Sequence, residues 1–333
     1  MARKLQKRER RAIWAVDAFE QNPEALKKAA RMISAWNKRS GAVVQPVYVL
    51  SPAELNLSKE LSAPWLNEYE SAARKALNQL VADMSDASLL TPEVLIEGTS
   101  ATHRVTDLLA QHALREGAEA ILVTSHGRRG LRRLIMGSFA ESLLLRSQVP
   151  VLVLGPQTNS IPSLDHILFP TELNTESRST LKQVAFLAQR LSARLTLFHS
   201  VPRPIEPIFQ SGVSLLGGSW VPIHEYFSVE IERIERRARA WAHWARQQGV
   251  DADFVIDNQG SMISTSIFRA AKRLQCGLIA IEARSGRIAS ALIGSVTREV
   301  IRQASVPVWV VRENMIQPEA RPALVKPILR RAA

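Results

Sequence analysis

Residues 137–154, GSFAESLLLRSQVPVLVL, align without a gap with residues 294–311, GSVTREVIRQASVPVWVV. Both stretches begin Gly-Ser and end Val-Pro-Val-x-Val. Upstream, RAIWAVDAFE (11–20) matches ILFPTELNTE (167–176): an apolar run, an acid (Asp17 or Glu172), then a polar turn. Self-similarity of this length constrains the fold more than any single motif does. The chain of 333 residues reads as two copies of one domain of about 150 residues each. The expected organisation is a basic tail over 1–11, a first domain over 12–157, a linker over 158–165, a second domain over 166–314, and a Pro-containing basic tail over 315–333. The join falls in GPQTNSIPSLD (155–165), rich in residues that interrupt regular structure.

Within each copy, short β-rich runs alternate with amphipathic stretches of helical length. The first copy predicts strands at 12–17, 42–50, 93–97, 120–125 and 150–154, with helices near 22–39, 60–86, 102–116 and 138–147. The second predicts strands at 166–171, 194–200, 252–257, 277–282 and 307–311, with helices near 176–191, 226–248, 262–274 and 295–304. Strands apolar on both faces and separated by helices call for a parallel sheet covered by helices. The expected fold class is therefore α/β, two open doubly wound five-stranded parallel sheets. Ligands of such sheets bind at the carboxyl ends of the strands, which puts the loops after the first and fourth strands at the mouth of any site.

The loop after the fourth strand of copy one, VTSHGRRGLRRLIMGS (123–138), runs from a strand into a helix. Gly127 and Gly137 permit close backbone approach, and a helix N-terminus presents unpaired N–H donors and a partial positive charge. Ser138 can cap that helix or donate to a phosphate oxygen. Arg128, Arg129, Arg132 and Arg133 add guanidinium groups suited to phosphate. Asp17, ending the first strand, is placed to accept from a ribose hydroxyl. Each residue also has a plainer reading: Ser138 as a cap only, the arginines as a solvated face, Asp17 as a cap for the following helix. On the residues alone both readings stand.

These motifs together resemble a tandem universal stress protein, over nearly all of residues 11–314. ATP-binding members of that family carry G-x2-G-x9-G-[S/T] after the fourth strand and an Asp ending the first. Here Gly127, Gly137 and Ser138 match, and Thr124 stands at the first glycine. The resemblance implies an adenine-nucleotide alpha-hydrolase-like fold whose two halves pack as an intramolecular pseudo-dimer through their Val-Pro-Val strands. It implies ATP in copy one, with Mg present only alongside ATP. Asp17, Val49 and Thr124 would meet adenine and ribose; Gly127, Gly137, Ser138 and Phe139 would meet the phosphates, with His126 nearby. The second copy keeps Gly294 and Ser295, but the gapless alignment puts Ile281 and Arg284 at the two upstream glycine positions, and Glu172 replaces the Asp. Copy two is expected to be degenerate and structural. The implied activity is a stress-response regulator rather than a turnover enzyme, with weak ATP hydrolysis at most; the alternative is a scaffold of the same fold without nucleotide.

Net charge is +12, a balance that invites a nucleic-acid reading. Its placement argues otherwise. Residues 1–11 carry +5, residues 316–333 carry +3, and the four arginines of the 127–139 loop supply the remaining +4. That moves the expected partner from nucleic acid to nucleotide. The lone Cys276 forms no intrachain disulfide, and no apolar run approaches the roughly 20 residues of a spanning helix. A cytoplasmic location follows as an expectation, with no membrane partner. Seven scattered histidines form no HExxH or Cys/His cluster, so no metal site is expected. Residues 201–225 form an insertion in copy two, read either as a lid or oligomer contact or as a loop packed on its own domain. Trp241 and Trp244 share a helix face expected to pack inward.

Overall fold

The computed structural model describes residues 9–52, 63–82, 84, 88–99, 101–124, 138–158, 163–201, 213–214, 220–221, 223–283, 293–313 and 315. The expected tails lie almost wholly outside these residues, as does most of the 201–225 insertion.

Domain 1 is built on β1 (Arg11–Ala15), β2 (Val43–Leu50), β3 (Glu93–Ile96), β4 (Ile121–Thr124) and β5 (Val151–Leu154). Its helices are α1 (Pro23–Ser40), α2 (Ala63–Ala82), α3 (Thr102–Arg115) and α4 (Ser138–Arg146). Every residue of β5 is buried, as expected of a strand covered on both faces. Helix α1 shows how local chemistry sets its ends. The Asn22 side chain accepts from the Glu24 N–H at 3.1 Å, Pro23 opens the first turn, and Gly41 closes the helix at φ +65°. Between them Ala25, Ala29, Met32, Ile33 and Trp36 repeat at helical spacing and are buried.

Domain 2 repeats the design with β6 (His166–Pro170), α5 (Ser177–Leu191), β7 (Arg194–Ser200), α6 (Ile223–Gln247), β10 (Ala252–Asp257), α7 (Ile263–Arg273), β11 (Leu278–Glu282), α8 (Ser295–Gln303) and β12 (Val308–Val311). A two-stranded antiparallel pairing of β8 (Val213–Ser214) with β9 (Trp220–Val221) lies within the insertion and was not foreseen from sequence. Helix α6 begins at Ile223, three residues earlier than expected. Trp241 and Trp244 pack inward against the domain core.

The order across the main sheet is β10-β7-β6-β11-β12-β5-β4-β1-β2-β3. Pairing is parallel within each domain and antiparallel at one place, where Leu152 of β5 faces Trp309 of β12. The two Val-Pro-Val strands thus join both halves into a single ten-stranded sheet, the internal pseudo-dimer expected of the tandem. Exposed apolar edges need pairing or cover, and each of these edges covers the other. Two cores line the two faces of the sheet, and each runs unbroken across the join.

Side chains reinforce this seam. Trp36 of α1 stacks on Trp309 with ring centroids 5.5 Å apart and planes 16° apart. Arg39 donates to the Ser192 carbonyl at 3.1 Å, and Arg298 of α8 pairs with Glu141 of α4 at 2.6 Å. Arg312, just past β12, donates to the carbonyls of Leu145 and Ser147 at the end of α4. Gly155, just past β5, lies so close to α8 that a Cβ there would sit 2.2 Å from the Ile301 carbonyl oxygen. That approach requires glycine.

Candidate nucleotide site

Because β1, β2 and β4 are parallel neighbours, their carboxyl ends open side by side on one edge of the domain 1 sheet. A cleft of about 450 Å³ lies there, lined by Asp17, Val49, Thr124 and Phe139 among others. Four of the residues singled out from sequence therefore face one cavity. Its walls are apolar: Trp14, Val16, Tyr48, Val105, Leu109 and Val123. Polar groups are few and sit at the rim, chiefly Asp17, Glu20, Gln21, Asn22 and Thr124. A mostly apolar pocket with a few convergent polar groups is the ordinary form of a small-molecule site.

Asp17 is exposed two residues beyond β1, and its Oδ1 accepts the Phe19 N–H at 2.9 Å. The local-turn reading and the site reading are compatible, since a carboxylate has further acceptor positions to offer. Thr124 is the last residue of β4, paired with Leu154, and is half-buried. Ser138 opens α4 and is exposed; Phe139 follows it into the cleft wall. Helix α4 is tied to α3 by the Thr106 and Ser142 hydroxyls, 2.8 Å apart. His126, Gly127, Arg128, Arg129, Arg132, Arg133 and Gly137 lie outside the described residues.

Sequence reasoning missed Phe19. It is 43% exposed at the mouth of the cleft and meets Tyr48 edge-on at 5.9 Å. Phe19 also borders a second cavity of about 490 Å³ between α1 and α2, with Leu26, Ala30, Ala76, Leu80 and Met84. The signal was an aromatic residue placed in a polar turn, where burial does not explain it.

The corresponding place in domain 2 has different chemistry. Ladder pairing aligns Ile121, opposite Val151, with Ile279, opposite Val308. Since Val151 and Val308 are the same residue of the shared motif, Glu282 stands at the position of Thr124. This corrects the gapless alignment, which put Ile281 there, and it moves Arg284 out of register with Gly127. One residue is missing from the loop of copy two, and only hydrogen-bond register reveals where. Glu172 does fall opposite Asp17, because the Thr171 N–H meets Phe198 as the Val16 N–H meets Val47.

Counting back from the helix ends at Gly41 and Ser192, Ser177 and Thr180 replace Leu26 and Ala29 of the domain 1 cleft wall. The Ser177 hydroxyl donates to Glu282 at 3.1 Å, the Asn174 amide spans Glu172 and Glu176, and Arg237 donates to the Leu173 carbonyl at 3.0 Å. His199 binds the Thr171 carbonyl at 2.8 Å. Gly294 precedes α8 without a side-chain cap, and Ser295 is exposed. Arg284 lies outside the described residues.

Among the described residues no group of His, Cys, Asp or Glu is arranged to hold a metal ion. No described helix is long and apolar enough to cross a membrane. Burial pushes the Cys276 thiol up to about 12, as befits an inert core thiol.

A parallel sheet of this order, present here twice, is the adenine-nucleotide alpha-hydrolase-like architecture, and domain 1 carries a cleft at its strand ends with a helix opening beside it. The chain belongs to the universal stress protein family, whose model matches residues 9–155 and again 163–312. A curated relative, universal stress protein MJ0577 of Methanocaldococcus jannaschii, is 26% identical over 106 residues. That match covers 32% of this chain and 62% of the relative's length. Among solved structures, a universal stress protein of Archaeoglobus fulgidus superposes with a TM-score of 0.57 at 15% identity, covering 91% of this chain and 96% of that one. A functionally unknown protein of Pseudomonas aeruginosa gives 0.58 at 16%, covering 94% and 96%. Both are similar in fold.

Proposed function

We propose that this protein is a cytoplasmic stress-response regulator that binds an adenine nucleotide, ATP, in domain 1 and uses domain 2 as structure. The observation that carries this reading is the convergence of Asp17, Val49, Thr124 and Phe139 on one cleft beside the start of α4. In it, Asp17 accepts from the ribose, the apolar walls around Val49 and Val123 take the base, and the start of α4 with Ser138 meets phosphate. The arginines of the 127–137 loop, outside the described residues, are the cations this reading assigns to the phosphates, with Mg entering only as the ATP salt. No general base is assigned, and a shift in conformation on binding is what a protein partner would read.

Isothermal calorimetry with ATP, and mass spectrometry of nucleotide that co-purifies, test the reading. Micromolar or tighter binding that weakens at least tenfold in Asp17→Ala supports it. No heat and no co-purified nucleotide would leave the alternative, a scaffold without nucleotide. That alternative draws on the domain 2 cleft position, where side chains hydrogen-bond one another.

A further inference from the structure

The two halves treat each other's last helix differently. Matching Val151 to Val308 along the shared motif makes Gly155 and Arg312 equivalent positions, each immediately beyond the seam strand of its domain. Arg312 reaches across the seam and donates to the carbonyls of Leu145 and Ser147, within and just beyond the last turn of α4. Gly155 brings no side chain to α8, whose Ile301 carbonyl packs against bare backbone. Domain 2 therefore supplies a cation to the carboxyl end of α4, and Gly155, at the equivalent position of domain 1, returns none.

That end is not incidental to the site. The last carbonyls of a helix lack partners within it and carry partial negative charge, while its first N–H groups carry the opposite charge. A guanidinium bound at one end fixes the helix and satisfies its orphan carbonyls. The same helix begins at Ser138 and Phe139, beside the cleft. Arg312 is half-buried, and burial lowers its pKa without removing its charge. Arg298 adds a second cross-domain hold on α4 through Glu141, and within domain 1 the Thr106 hydroxyl of α3 meets Ser142 of the same helix.

We infer that Arg312 of domain 2 is a positioning residue for the domain 1 site, holding α4 so that its first turn is aligned for phosphate. The inference rests on the ATP reading. The degenerate domain is thereby a working part of the competent one.

The test uses the full chain and compares ATP with adenosine, which lacks phosphate. ATP affinity is measured by calorimetry and adenosine by displacement of a fluorescent adenine nucleotide, in wild type and in Arg312→Ala. Hydrogen exchange across residues 140–146 is followed without ligand. ATP binding is expected to weaken on the order of fivefold, with adenosine unchanged and exchange across α4 faster. Arg312→Lys, which retains a cation, is expected to recover part of the loss, and it serves in place of Arg312→Ala if that variant does not fold. Equal weakening of ATP and adenosine, or unchanged ATP affinity in a folded variant, overturns the inference while leaving the ATP reading intact. Wild type that binds neither ligand removes the ATP reading and this inference with it.

Discussion

Replacing Trp309 with Ala tests whether the seam holds the molecule together as described. Trp309 is 4% exposed, lies on β12 opposite Leu152 of β5, and stacks on Trp36 from the other domain. Its indole N–H has no hydrogen-bond partner among the described residues, so the loss is taken as one of packing. Truncating a buried aromatic of this size costs about 3–5 kcal/mol, of which roughly 0.5–1.5 kcal/mol belongs to the stack itself. For a chain of this length that corresponds to a fall in Tm of about 4–7 °C. Scanning calorimetry of wild type, Trp309→Ala, Trp36→Ala and the double variant gives both quantities. The loss should fall on the contact between domains, so the single variants should also broaden or split the transition. A fall below about 2 °C, or a coupling between the two tryptophans below about 0.3 kcal/mol, would refute the reasoning.

Gly155→Ala should destabilise by roughly 1–3 kcal/mol in urea titration, because the new methyl meets backbone rather than a movable side chain. Gly98→Ala, which meets nothing within 4 Å, should stay within about 0.5 kcal/mol; equal effects would contradict the packing described. Burial raises the pKa of Glu119, and Arg10 and Arg190 only partly offset this. Its native carboxyl therefore holds a proton more tightly than the unfolded one. Its contribution to stability is complete below the unfolded pKa and is lost as pH rises through the folded value. Urea midpoints of Glu119→Gln relative to wild type should accordingly improve from pH 4 to pH 7, and a flat difference would disprove the assignment. Cys276 should resist alkylation at pH 8 until the protein is unfolded, its thiol being raised to about 12; rapid labelling of the native chain would count against its burial.

Much of this architecture was legible in the residues. Continuous apolar runs such as VLVL in β5 mark strands covered on both faces, and the family resemblance that the repeated Val-Pro-Val ending helps carry implied which strands would meet. Asp17 could be placed at a strand end because a polar turn follows it at once. The register of β11 was not legible. LIAIE matches ILVT equally well one residue either way, and in a buried strand both faces are apolar, so pattern does not choose. Only the hydrogen-bond ladder assigns Glu282 to the place of Thr124. The exchange of Leu26 and Ala29 for Ser177 and Thr180 was hidden for the same reason, since it depends on aligning two helices of unequal length. Arg312 and Gly155 show the limit most plainly. Both follow an apolar strand, and nothing local distinguishes a guanidinium that will meet a helix 167 residues away from one that meets water.

The ion pair between Glu141 and Arg298 joins equivalent positions of the two copies, so it lies on the pseudo-twofold axis of the seam. A symmetric pairing of two first domains would bring Glu141 against Glu141, and one of two second domains would bring Arg298 against Arg298. Either arrangement confronts like charges at the one spot where self-pairing cannot avoid them. The seam therefore discriminates between partners as well as binding them. Mixed in a crowded solution, two chains could trade halves only by pairing first with second, the arrangement that each already has within itself.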